Sequence, residues 1–270
     1  MEATWSTLRL TGRDVLPLLH RTTTQALVEL VPLGAAATLL CDFKGRVQHR
    51  FVVAVAPDAA VWLLRPDAPG AALAAAIDRM VFRDHVQIID RSEALRTTLV
   101  EGVRGEVSSA FDADHVPTRV STGDGTAVIV TPVGAEAPAA LTDSQRFALF
   151  HPAHAHELTD AFNPFELALA HEVHLAKGCF TGQEALQRLI TYESVRRRPA
   201  RVRLSTEITD VPREIHANGA PAGILTSVAG RDGLAIVSRD ALADGRALTL
   251  AHGVTLEIIE APELARPQGR

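Results

Sequence analysis

From Pro199 onward the chain is a series of short apolar runs, each closed by a turn: Val202 to Leu204, Gly223 to Ser227, Leu234 to Val237, Ala247 to Leu250 and Thr255 to Ile259. Runs this short do not make helices, and their even spacing with glycine-bearing turns lets successive strands curl into a closed sheet. A small β-barrel is expected over residues 199–262, with 263–270 as a frayed tail.

The preceding part of the chain mixes the two periodicities. LRLTGRDVLPLLHRTTTQAL reads as a strand, a turn at Gly12 and a helix that Asp14 can cap, with Pro17 tolerated in the first turn. Two apolar strands follow, joined by a hairpin turn through Asp42, Phe43, Lys44 and Gly45. Pro66 to Val81 is alanine-rich with Leu73, Ile77 and Met80 on one helical face, and Val61 to Leu64, Val86 to Ile89 and Thr97 to Val100 read as strands. Gly123, Gly125 and the apolar Ala127 to Val130 suggest another hairpin. This is an α+β pattern, without the regular alternation of a doubly wound sheet.

At 270 residues the chain exceeds what one compact core usually organises, so two or three packed units are expected. We divide it into a discontinuous α+β domain (1–50 plus 142–198), a second α+β domain (51–141) and the barrel. A net charge of −5 argues against a surface devoted to nucleic acid. No apolar run approaches the ~18 residues of a membrane span, and Met1, Glu2, Trp5 and Arg9 do not resemble a secretory leader, so a cytoplasmic protein is expected. Cys41 and Cys179, the two cysteines, do not make a disulfide framework.

The candidate chemistry centres on KGCFTGQE, Lys177 to Glu184. Thr181 and Glu184 have capping-box spacing, and Leu186, Leu189 and Ile190 give the following helix an apolar face. Cys179 would then lie near the positive end of a helix and near the Lys177 ammonium, both of which favour a thiolate. It is a candidate nucleophile or ligand. The plain alternative is a small buried apolar residue between turn glycines.

KGC-aromatic-x-GQE, with Arg188 and an arginine-rich stretch after it, resembles the signature of the YgfZ-type folate-binding proteins, relatives of the glycine-cleavage T-protein that act in iron-sulfur cluster maintenance. The turn formed by Asp42, Lys44, Gly45 and Arg46 matches the family's D-x-K-G-R, and Asn163, Pro164 and Glu166 match its P-x-E-x-x-L helix start. Arg146 and Pro152 fit a third frame, but Ala148 and Phe150 stand where that frame has an acid and a glycine.

The resemblance implies a three-part T-protein-like ring of ferredoxin-like α+β units and the barrel, with a central hole for tetrahydrofolate or a derivative. It makes Arg146, Glu166, Asp42, Lys44, Gln183 and Arg188 the folate-binding candidates, and puts Cys179 and Lys177 at the cavity as the reactive pair. The implied partners are folate and transient iron-sulfur clients, with no membrane and a monomeric state. One cysteine cannot hold a stable cluster, so no permanently bound cluster is expected.

Alternatives remain. A folate-dependent aminomethyltransferase or demethylase would need the acidic pair that T-proteins carry after the glycine turn, and His49 and Arg50 occupy those places. A thiol-redox or tRNA-modification accessory protein could use Cys179 with RNA on the arginine run, Arg196 to Arg198, Arg201 and Arg203, which otherwise reads as a solvated connector. His151, His154, His156, His171 and His174 crowd one region, but HEVH lacks the H-E-x-x-H spacing. Polar positions in loops and strands suit them better, and no metal is assigned.

Overall fold

The computed structural model describes residues 4–243 and 247–269. In its amino-terminal part, β1 (Ser6–Thr11) leads into α1 (Val15–Thr22), β2 (Ala35–Cys41) and β3 (Val47–Val55) form a hairpin, and β4 (Val61–Arg65), α2 (Gly70–Asp78) and β5 (Gln87–Asp90) follow. These strands make one antiparallel sheet in the order β2-β3-β4-β1-β5. The hairpin turn is held by Asp42, whose Oδ1 accepts from the backbone N–H of Lys44 and of Arg46, both at 2.8 Å, while Gly45 supplies φ 73°.

The sheet is apolar on both faces. Phe51, Val53, Val55, Val61 and Leu63 pack under α1 and α2, whereas the alternate residues Val52, Ala54, Trp62 and Leu64 pack on the opposite side. That second side is covered by a long two-stranded ribbon, β6 (Leu95–Phe111) and β7 (Pro117–Pro132), through Leu95, Val120, Val128 and Val130. Its turn lies at Asp112, whose Oδ1 accepts from Asp114 and Val116 N–H, both at 2.9 Å. The expected turn at Gly123 and Gly125 is therefore a correction. Both glycines sit inside β7, opposite the register breaks at Arg104, so they serve an irregular ladder rather than a reversal.

Two expected boundaries also move. The division at residue 50/51 falls inside β3, which pairs with β2 on one edge and β4 on the other, so the sheet unites segments assigned to separate domains. α2 starts at Gly70 rather than Pro66, because Pro69 disfavours helical backbone in the residue before it.

The chain then forms α3 (Asp143–Ala148), the 3-10 turns Pro164–Leu167 and Ala170–Glu172, and α4 (Gln183–Thr191). Asn163 and Glu166 make the expected capping box, though on a single 3-10 turn that stops at Ala168 in the left-handed region (φ 59°). The barrel follows from β8 (Arg197–Leu204), β9 (Arg213–Ala217), β10 (Ala220–Ala229) and β11 (Asp232–Ser238), then α5 (Arg239–Ala243), β12 (Leu248–Thr249) and β13 (Thr255–Glu260). It closes in the order β10-β11-β8-β13-β12-β9 around Val202, Leu204, Ile215, Leu225 and Val237. The expected frayed tail is docked instead. Gln268 donates its N–H to Val173 O at 2.9 Å, accepts from Leu175 N–H at 3.1 Å, and places Leu264 on the core between the α+β part and the barrel.

Candidate functional site

Where β3, β7, the loop after α3 and the second 3-10 turn meet, Arg50 is buried among polar partners. Its Nε lies 2.9 Å from Glu172 Oε1, and its Nη2 donates to the same oxygen at 2.6 Å and to Asp124 Oδ2 at 2.9 Å. Its Nη1 lies 2.8 Å from His151 Nε2. A guanidinium only donates, so His151 Nε2 accepts, and the ring is neutral with its proton on Nδ1. Asp124 Oδ1 also takes the backbone N–H and the hydroxyl of Thr126, at 2.8 and 2.7 Å.

The charges decide each protonation state. Burial alone would raise the carboxyls, but Arg50 and the hydrogen bonds around them outweigh it, so Asp124 and Glu172 are held below the usual carboxylate range. Burial, then Arg50, pushes His151 down. His171 is opposed by burial, yet Glu172 beside it (3.5 Å) drives it up. One guanidinium thus stands between two carboxylates, and His171 can supply a second positive charge. Asp124, His171 and Glu172 bring ligand atoms within 4.8 Å of one another, but the carboxylate oxygens already receive Arg50.

Two cavities adjoin at Arg50 and His151. The first, about 450 Å³, is bounded by Val52 and Leu64 of the sheet, Thr98 and Val128 of the ribbon, and Arg146 of α3. The second, about 760 Å³, carries Asp124, His171 and Glu172 and is walled in part by the tail at Pro262 and Gln268. Arg146 lines the first cavity and is anchored by Glu157, whose Oε2 lies 3.0 Å from Nη1. The buried Glu157 also accepts from Thr226 and Ser227 hydroxyls of β10 at 2.5 and 2.7 Å, which ties this wall to the barrel. Glu157 thus gives Arg146 a buried acidic partner from eleven residues further along the chain.

Of the folate-binding candidates, Arg146 alone borders either of these two cavities, and the others lie elsewhere. Glu166 is buried as a staple between Arg46 (3.3 Å) and Arg197 (2.7 Å). Asp42 and Lys44 build the exposed hairpin turn. Gln183 donates through Nε2 to Leu175 O at 2.8 Å, and Arg188 pairs with Glu184 on the surface of α4.

The expected reactive pair lies apart from both cavities. Cys179 is exposed and borders neither cavity. Lys177 donates to His20 O and covers the Phe180 ring at 4.9 Å, while burial lowers its pKa to about 8. The Thr181 capping box does not form. Gly182 is the N-cap at φ 82°, and a Cβ there would come within 2.4 Å of Asp42 O, so the contact between the hairpin turn and α4 fixes the helix start. Cys41 is buried.

Three arginines of the run face carboxylates, while Arg196 is exposed. Arg197 is taken by Glu166, Arg203 by Asp232 at 2.9 Å, and Arg201 approaches Glu260 at 4.0 Å. Away from the cavities' junction, the buried Arg65 donates to Nδ1 of His49 and of His154 at 2.8 and 2.6 Å, which turns both Nε2–H groups away from it. Asp124 and Glu172 had no local motif to reveal them. The only sequence hint was that Arg50 stood where an acid was expected, which obliges a buried guanidinium to find acids elsewhere.

The fold is that of the glycine-cleavage T-protein. The structure of the glycine cleavage system aminomethyltransferase T from Bartonella henselae superposes with a TM-score of 0.72, covering 98% of this chain and 85% of that one, at 13% identity. Residues 196–264 match the CAF17 C-terminal beta-barrel domain. A chloroplast protein of Arabidopsis thaliana described as a transferase is 32% identical over 121 residues, a match that spans 43% of this chain and 28% of that relative. These findings give the chain the T-protein fold and, over residues 196–264, a barrel similar to the CAF17 C-terminal domain. Among the described residues, no helix is long and apolar enough to cross a membrane.

Proposed function

We propose that this chain binds tetrahydrofolate in the paired cavities that meet at Arg50 and His151, and uses the bound folate in the upkeep of iron-sulfur proteins. The observation that carries the reading is the junction itself, a buried set of two carboxylates, one guanidinium and a neutral imidazole opening onto cavities of about 450 and 760 Å³. The residues fit the group. A pterin ring presents N–H donors and ring acceptors on one edge, which the oxygens of Asp124 and Glu172 and the donors of Arg50 can meet, while Val52, Leu64 and Val128 offer apolar walls to its faces.

Bound folate would supply one-carbon chemistry. This chain's own part is to orient the ring, exclude water and fix protons. Arg50 holds both carboxylates ionised, and His151 keeps its proton on Nδ1. A free carboxylate at the Arg50 position could stabilise an amine or iminium cation of a transferred aminomethyl group; a guanidinium repels it. This favours a binding factor over an aminomethyltransferase. A transferase reading retains one supporting observation, since Asp124 of β7 and Glu172 of the second 3-10 turn restore carboxylates to the same junction. The exposed Cys179 suits contact with a client protein at the surface.

Calorimetric titration with 5-formyltetrahydrofolate, paired with iron-sulfur enzyme activity in cells carrying Cys179→Ala, tests the reading. Folate binding retained by the variant together with reduced enzyme activity is expected. Unchanged activity removes the client role of Cys179, and absence of folate binding by the wild type removes the whole proposal.

A further inference from the structure

Three arginines, Arg50, Arg96 and Arg146, are among the residues that line the first cavity. Arg50 is matched by Asp124 and Glu172, and Arg146 by Asp143 and Glu157. Arg96 is different. Among the described residues no acid pairs with it, and its buried Nε has no hydrogen-bond partner. Its guanidinium lies over the Trp5 ring at 4.8 Å. That ring is itself fixed, because Trp5 Nε1 donates to the carbonyls of Ser92 and Leu95 at 3.0 and 2.9 Å.

A guanidinium stacked on an aromatic face is positioned in the plane of its N–H donors and keeps those donors for another partner. Leaving a buried donor unmatched costs free energy, so a partner that completes it, a ligand acceptor included, is favoured. Two acids also line this cavity, Asp67 and Asp143, and they pair with Arg65 and Arg146 rather than with Arg96. The arrangement is that of a preformed half of an ion pair.

We propose that Arg96, held on Trp5, is the docking point for a carboxylate carried by the ligand of the first cavity. The inference rests on the folate reading and deepens it: the heterocycle lies toward the Arg50 junction, and the glutamyl carboxylates lie toward Arg96. A carboxylate forks onto a guanidinium through parallel hydrogen bonds, which an ammonium cannot reproduce, so Arg96 also selects for ligands that carry the acidic tail.

The test titrates wild type, Arg96→Met and Arg96→Lys with two probes, 5-formyltetrahydrofolate and 6-hydroxymethylpterin, which lacks any carboxylate. Charge-assisted hydrogen bonds of this kind correspond to roughly a tenfold to hundredfold change in affinity. R96M is expected to weaken 5-formyltetrahydrofolate by about that factor and R96K by less. Binding of the pterin should stay the same in all three proteins. Thermal unfolding of each variant separates lost binding from lost folding, and R96K, which keeps the charge, serves if R96M does not fold. Equal affinity of wild type and variants for 5-formyltetrahydrofolate, or equal weakening of both probes, overturns the role of Arg96 alone. Failure of wild type to bind either probe overturns the folate reading beneath it.

Discussion

Arg50 and Glu172 share a bidentate ion pair, with Nε and Nη2 of the guanidinium both directed at the carboxylate and a shortest separation of 2.6 Å. The residues come from the second strand of the β2–β3 hairpin and from a 3-10 turn far along the chain, and both are buried. The pair therefore joins the sheet to the segment that leads toward the barrel. Its geometry also sets the charge of the junction between the cavities.

Replacing Arg50 by Met would leave Glu172 and Asp124 buried without their cation. Removing one partner of a buried pair costs about 3–5 kcal/mol. Urea unfolding at neutral pH should show a loss of that order for R50M, and the double variant R50M/E172M should recover part of it. A double variant no more stable than R50M would show that the pair does not carry the coupling.

Acid should weaken the protein through His49. Burial first, then the charges of Arg65, His154 and Arg79, lower its pKa from 6.5 to about 4, so the folded chain resists a proton that the unfolded chain accepts. The stabilisation is complete above pH 6.5 and drains as pH falls toward about 4. His151 shifts in the same direction. His171, shifted upward, acts oppositely: its contribution is present below its unfolded value and is lost as pH rises through the folded one. His49→Gln should flatten the decline in unfolding free energy across that acid window, and equal slopes in the two proteins would contradict the assignment.

Glu157 should matter more than its place in a loop suggests. It receives Arg146, Thr226, Ser227 and the Ala153 N–H, and is 1% exposed. Glu157→Ala should cost about 3–5 kcal/mol by stranding Arg146, and faster hydrogen exchange in β10 should accompany it. Unchanged exchange there would mean that the barrel is held by other contacts.

The thiols should separate by access. Cys179 is exposed, whereas Cys41 is buried and its thiol is pushed up by burial and by Asp42. A thiol reagent should titrate Cys179 rapidly in the folded protein and Cys41 only after denaturant is added. Rapid reaction of both would contradict the burial of Cys41.

The barrel was legible because each strand carries its own apolar run and its own turn, and because closure follows from their number and spacing. β9, with Arg213, Glu214 and His216, carries too little apolar character to be seen this way. The ribbon was misread because glycines inside β7 imitate a turn, while the true reversal uses Asp112 and a non-glycine residue, His115, at φ 60°. Local pattern also failed at Thr181 and Glu184. There a close approach between distant segments, Gly182 against Asp42, chose the helix start, and Glu184 paired with Arg188 instead. The junction at Arg50 depends on residues 50, 124, 151 and 172, so only tertiary pairing could assemble it.

The central claim is tested most directly by a crystal structure of the chain grown with saturating 5-formyltetrahydrofolate. The heterocycle is expected at the junction, within hydrogen-bond reach of Asp124, Glu172 or Arg50 and between the walls of Val52 and Val128. Ligand bound elsewhere on the molecule, with the junction at Arg50 and His151 left to solvent, would contradict it.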